Sequence, residues 1–243
     1  MNDRKEFFMR RKAFIFLAPV FFSVFVLLQG CTTSKPGEGV EPLSEDAPEV
    51  VVEQNLEDDK PNVAAKVNST GIFKTFNLYT DANAPDNHYV PSGWMGDYGD
   101  LKFNDRYMTN PHSGSTSLQI VYSGKGTQGA RWAGVYWQNP PNNWGTRPGG
   151  YDLTGAKKLS FWARGESGGE RIEEFKIGGI TGEYADSDVA GIGPVVLTTD
   201  WQEYTLDLEG KDLSSISGGF CWATNVDVNP EGCTFYLDDI RYE

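Results

Sequence analysis

Lys157-Lys158-Leu159-Ser160-Phe161-Trp162-Ala163-Arg164 alternates large apolar and other residues, and Trp201-Gln202-Glu203-Tyr204-Thr205-Leu206-Asp207-Leu208 repeats the pattern. A period of two belongs to a strand with one face in a core. Leu159, Phe161 and Ala163 therefore point inward, with Ser160, Trp162 and Arg164 on a partly wet face. Tyr204, Leu206 and Leu208 likewise oppose Thr205 and Asp207. Outward from these runs, strands are expected near 72–79, 117–123, 132–138, 157–164, 171–178, 194–198, 202–208, 217–224 and 233–242, separated by Gly, Asn and Pro clusters. No stretch holds a helical period for more than two turns. Parallel strands would need crossovers of about a dozen residues, often helical, so the expected fold is all-β, an antiparallel sandwich of the jelly-roll kind.

This domain is expected over 68–243, a length within the ordinary single-domain range, and it holds all seven Trp. Before it, Thr32–Val67 has no aromatic residue, four prolines and nine acidic side chains. Such a composition cannot bury a core. Residues 31–67 read as an acidic linker with a coil span of roughly 35 Å.

Residues 1–30 read as a leader. Arg10, Arg11 and Lys12 precede an apolar run from Ala13 to Leu28, which ends in Leu28-Gln29-Gly30-Cys31. This resembles a bacterial lipoprotein signal, which implies cleavage before Cys31, a lipid on that cysteine and membrane attachment through it. Thr32, where an aspartate would imply inner-membrane retention, points the resemblance to the outer membrane. The other reading is an uncleaved anchor, although the run is short of the ~20 residues of a spanning helix. Removing Met1–Gly30 takes away five Lys/Arg and two Asp/Glu and moves the formal charge from -13 to -16. So acidic a protein repels nucleic acid. It also leaves Cys221 and Cys233 as an even pair in an oxidising compartment. Their bridge is expected if the turn Asn229-Pro230-Glu231-Gly232 lays two strands side by side, and two free thiols are the alternative.

The run Tyr151-Asp152-Leu153-Thr154-Gly155-Ala156-Lys157 to Arg164, then Trp201 to Leu208, then Phe235-Tyr236-Leu237-Asp238-Asp239-Ile240 resembles carbohydrate-binding modules of the galactose-binding-domain-like type, family 11 being nearest. The resemblance implies a β-jelly roll, capture of a polysaccharide or oligosaccharide without catalysis, and a structural calcium ion. Asp238 matches the last-strand carboxylate that holds calcium in that superfamily, and Asp81, after the run 72–79, matches a partner. Calcium takes roughly six to eight oxygen ligands in flexible geometry. The plainer reading is that Asp238 and Asp239 end an edge strand.

From the residues themselves, Arg131–Gly145 carries the binding expectation. Trp132, Gly134, Tyr136 and Gln138 share one strand face opposite Ala133, Val135 and Trp137, and the second set is the better core. An indole, a phenol and an amide around a glycine gap suit a sugar ring, whose C–H face meets aromatic planes while amides and guanidiniums take its hydroxyls. Trp144, in the following loop, would form a wall, and Trp162 and Arg164 would contribute from another strand. The alternative for each is packing.

No catalytic residue is expected. Gly165-Glu166-Ser167-Gly168-Gly169 matches a nucleophile elbow, yet Ile172–Ile177 reads as a strand and both histidines, His88 and His112, lie upstream. Glu170, Glu173, Glu174, Asp186 and Asp188 leave open a glycosidase or lyase pair. The sequence thus describes a lipid-anchored glycan-binding protein of the cell envelope, with a carbohydrate-active enzyme and an adhesive envelope protein as the other readings.

Overall fold

The computed structural model describes residues 72–243. The leader, Cys31 and the acidic stretch lie outside the described residues. In chain order the strands are β1 Phe76–Tyr79, β2 Val90–Gly96, β3 Leu101–Tyr107, β4 Ser117–Tyr122, β5 Trp132–Gln138, β6 Lys158–Gly165, β7 Arg171–Ile172, β8 Glu174–Gly178, β9 Val189–Ile192, β10 Val195–Val196, β11 Gln202–Asp207, β12 Gly218–Asn225 and β13 Cys233–Tyr242. All pairings between them are antiparallel.

Two sheets form the sandwich. The first runs β11-β6-β13-β4-β3, with β1 also on β13; the second runs β2-β5-β12-β8-β9. Leu159, Phe161 and Ala163 of the first meet Val135, Trp137, Phe175, Phe220 and Trp222 of the second in one core. Phe161 lies with its ring centroid 4.7 Å from Phe175 and 5.2 Å from Phe220. Alternation assigned these inward faces as observed, and β5 and β13 match the expected boundaries to the residue.

The outward face of β6 departs from expectation. Ser160 and Arg164 are buried, Arg164 between Tyr236 and Trp201, and the segment between β3 and β4 lies over Trp162 and Trp201. Asn110 accepts the indole N–H of Trp201 at 3.0 Å, and the ring of His112 stacks on Trp162 at 3.7 Å. The cysteine pair is also corrected. Cys221 sits in the second sheet on the face away from the core, beside Tyr136, whereas Cys233 belongs to the first sheet and packs in the core. The turn between their strands crosses from one sheet to the other instead of closing a hairpin, so both thiols are free and buried. Burial pushes the Cys233 thiol up to about 12, which leaves it protonated and unreactive at neutral pH.

Candidate functional site

The outward face of the second sheet is built on β5. Ala133, Val135 and Trp137 enter the core, so Trp132, Gly134, Tyr136 and Gln138 face away from it. Trp132 stands at one end, 39% exposed. Near the other end, Trp144 is 40% exposed and meets the Tyr136 ring edge-on at 5.8 Å. Tyr136, the residue that Trp144 packs against, is four residues from Trp132, roughly 13 Å along the strand.

Each indole is held by a buried polar anchor. Ahead of Trp132, the carboxylate of Asp97 accepts the backbone N–H groups of Gln128, Ala130 and Arg131. Burial opposes its charge, but these donors prevail and hold the carboxyl below its ordinary value. Ahead of Trp144, the Gln138 amide donates to the Asn143 carbonyl at 3.0 Å and accepts the Ser92 hydroxyl at 3.0 Å. Ser92 in turn accepts the N–H of Asn142. Gly93 leaves room for this arrangement, since a Cβ there would lie 2.8 Å from the Gln138 amide carbon. Gly145 closes the loop at φ +76° against the Thr181 carbonyl, and its own carbonyl accepts the N–H of Tyr184. That contact sets the backbone of Tyr184, another exposed aromatic, against the residue after Trp144.

Two sequence expectations change here. Tyr136 is buried, its hydroxyl donating to the Gly178 carbonyl at 3.0 Å, and Gln138 is fully buried with its amide engaged at both ends. Both are engaged inside the protein and support Trp144. The glycine gap is occupied as well, because the methyl of Met95 lies against Gly134. Residues unread in the sequence take part instead: Lys176 of β8 stands 5.6 Å over the Tyr136 ring and pairs with Glu174 at 2.9 Å. The face therefore carries two exposed indoles beside the charge-neutralised pair Lys176–Glu174.

Trp162 and Arg164 cannot join this face, because β6 belongs to the other sheet. Trp162 is covered by His112, and Arg164 is buried between Tyr236 and Trp201. Nor do the arginines gather: Arg131 pairs with Asp227, and Arg147 donates to the Pro141 carbonyl.

The Asp238 carboxylate and one oxygen of Asp81, expected as calcium ligands, are engaged by hydrogen donors of the protein. Asp238 is fully buried at a bulge in β13, where that strand exchanges β4 for β1, and its oxygens accept the N–H groups of His112, Ser113 and Asp239. One Asp81 oxygen accepts the N–H and hydroxyl groups of both Ser115 and Thr116. A calcium ion needs oxygen lone pairs aimed at it, whereas the Asp238 oxygens and Asp81 Oδ1 are turned to hydrogen donors. Among the described residues no group of three or more His, Cys, Asp or Glu side chains is placed to hold a metal. The two carboxylates instead pin the segment between β3 and β4.

The carboxylates open to an enzyme reading also have structural partners. Glu170 accepts the Ser167 N–H at 2.7 Å, and Glu173 pairs with Arg171 at 2.7 Å. Asp186 accepts the N–H groups of Ile180, Ser217 and Gly218, and Asp188 pairs with Lys211. A cleft of ≈320 Å³ between residues 166–170 and 228–234 lies apart from the indoles.

No protein-family model matches the chain, and no curated protein does. Among solved structures it is similar to a family 30 carbohydrate-binding module, at 18% identity over 70% of this chain and 87% of that one, with a TM-score of 0.49. The family 11 module of the cellulosomal cellulase Lic26A-Cel5E of Clostridium thermocellum follows at 14% identity, covering 68% and 92% of the two chains, with a TM-score of 0.41. The CBM22-1 xylan-binding domain of Paenibacillus barcinonensis Xyn10C gives 14% identity, 71% and 93% coverage and a TM-score of 0.40. At these identities the likeness describes the fold alone.

Proposed function

We propose that the chain captures a neutral polysaccharide on the outward face of the second sheet and does not cleave it. One observation carries the reading: two exposed indoles, each on a buried anchor, stand on one face, Trp132 on β5 and Trp144 against Tyr136, which lies four residues or roughly 13 Å further along the strand. Aromatic planes spaced along a strand offer successive C–H faces of a glycan chain a surface to stack on. A neutral ligand follows from the charges, since Lys176 is paired with Glu174 and Arg131 with Asp227, and the molecule as a whole is acidic. A small-molecule site would be a closed, mostly apolar pocket, whereas this surface is open and suits a chain that passes across it. The structural partners of Glu170, Glu173, Asp186 and Asp188 favour binding without turnover.

Attachment to the cell envelope, through a lipid on Cys31 and the acidic linker of residues 31–67, is the second half of the proposal and rests on the leader sequence. The test is a glycan array probed with the full chain and with its Trp132→Ala and Trp144→Ala variants. Retention of neutral glycans by the wild type, and loss by both variants, is expected. Equal retention by the variants, or cleavage of the retained glycan, rejects the reading.

A further inference from the structure

The first sheet carries a polar and aromatic row on its outward face that the proposed capture surface does not use. Strand register builds it. Arg164 of β6 lies opposite Tyr236 of β13, Tyr236 lies opposite Gln119 of β4, and the pairing of Gln202 with Ala163 sets Trp201 next to Arg164 on the other side. The guanidinium is consequently sandwiched, 3.7 Å from the centroid of Tyr236 and 5.2 Å from that of Trp201. Tyr107 extends the row, its ring centroid 4.9 Å from Tyr236.

Arg164 is 7% exposed and is the one buried Lys or Arg among the described residues. A buried charge is ordinarily paired or richly hydrogen-bonded. Asp97, Asp238 and Asp239 obey that rule with several donors each or a histidine partner, whereas Asp100 and Glu170 each keep one buried oxygen without a partner. Arg164 is the cation in the same position. Of its five N–H donors, Nη1 reaches the Gly165 carbonyl at 3.4 Å, Nε is buried with no partner, and no carboxylate stands within salt-bridge distance among the described residues. Glu166, two residues on, is engaged by the Tyr236 hydroxyl at 2.6 Å instead. Stacking occupies the two faces of the guanidinium, and apart from the Nη1 bond to the Gly165 carbonyl its in-plane fork has no protein partner. That fork matches a carboxylate in shape and charge.

We propose that this row is a second saccharide site, centred on Arg164 and selective for a carboxylate-bearing sugar. Arg164 takes the carboxylate, Trp201 and Tyr107 flank the ring, and Gln119 serves its hydroxyls. The inference rests on the glycan-binding reading of the molecule, but on the opposite sheet from Trp132 and Trp144. The acidity of the protein opposes such a ligand at long range. That repulsion is screened beyond about 8 Å at physiological ionic strength, while contact with a buried guanidinium is not.

The test is calorimetric titration of the full chain with tetragalacturonate, tetramannuronate and a glucuronate-substituted xylotetraose, each beside its methyl ester and a sulfated neutral tetrasaccharide. At least one acid is expected to bind, with its ester at least tenfold weaker and the sulfated chain weaker than the acid. Arg164→Gln should lose at least tenfold, while the Trp132→Ala, Trp144→Ala double variant keeps the affinity. If Arg164→Gln does not fold, Arg164→Lys keeps stem and charge but removes the fork, and should fold and lose at least tenfold. No binding of any of the three acids, equal binding of acid and ester, a sulfated chain as tight as the acid, or undiminished binding by a folded Arg164 variant each overturns the site. Loss of acid binding in the double tryptophan variant also overturns it and returns the ligand to the second sheet. Neutral glycan binding, measured in the same series, reports separately on the first reading.

Discussion

Replacing Gln138 by leucine separates a ligand contact from a buried anchor. The side chain is fully buried, with one hydrogen bond to the Asn143 carbonyl and one from the Ser92 hydroxyl, both at 3.0 Å. Leucine is close in volume, so little cavity forms. The loss is that of two hydrogen bonds, about 1 kcal/mol each, plus part of the 1–3 kcal/mol for leaving a buried carbonyl unsatisfied. A total of roughly 2–4 kcal/mol follows. For a domain of 150–250 residues each kcal/mol moves Tm by about 2–4 °C, so thermal unfolding should shift down by roughly 5–15 °C. Glycan affinity should fall too, because the loop carrying Trp144 loses its anchor, although no ligand touches the residue. The assay is calorimetric unfolding paired with titration of the glycan found on the array. An unchanged Tm with lost affinity would place Gln138 in the ligand and refute the burial argument.

Trp144→Ala should cost binding on the order of 1–3 kcal/mol, by analogy with base stacking, and about 2 kcal/mol of stability, less than the 3–5 of a fully buried aromatic; a larger unfolding penalty with intact binding would make it packing. Burial raises the Asp186 carboxyl above its ordinary value despite three N–H donors. The native state therefore holds that proton more tightly than the unfolded chain, so its contribution is full at acid pH and is lost as pH rises from the ordinary carboxylate range through the raised native value. Asp186→Asn should flatten that segment of the stability profile, whatever it does to overall stability, and an unaltered slope would contradict the assignment. Chelator should leave Tm unchanged, because Asp238 and Asp81 face N–H and hydroxyl donors; a fall reversed by calcium would restore the metal, since a ligand of the native state alone raises stability. Cys31→Ser should release the protein from membranes or leave it unprocessed, and a variant of mature size still requiring detergent would count against lipidation.

Alternation carried the fold as far as side chains reveal it. β5 and β13 were legible because Ala133-Val135-Trp137 and Phe235-Leu237 keep a strict period of two. Three strands were not. β2 reads Val90-Pro91-Ser92-Gly93-Trp94-Met95-Gly96, where proline and glycine break the pattern, yet as an edge strand it tolerates both. β3 is an edge strand with a mostly polar, partly exposed sequence, and β9 is four residues long. Periodicity also tells which side of a sheet a residue faces, not which sheet the strand joins or what covers that side. Hence Trp132 and Trp144, for which packing was the alternative, are exposed, while Tyr136, Gln138 and Arg164 from the same expected set are buried. Lys176 and Tyr184 reach the site through β12–β8 pairing and through the Gly145–Tyr184 contact, which no local pattern encodes.

Capture by the two indoles is read out by affinity electrophoresis of the full chain through gels containing neutral polysaccharides identified on the array, run for wild type and for the Trp132→Ala, Trp144→Ala double variant at matched folding. Strong retardation of the wild type and free migration of the double variant with its fold intact are expected. Equal retardation of the two proteins would contradict capture by the indoles.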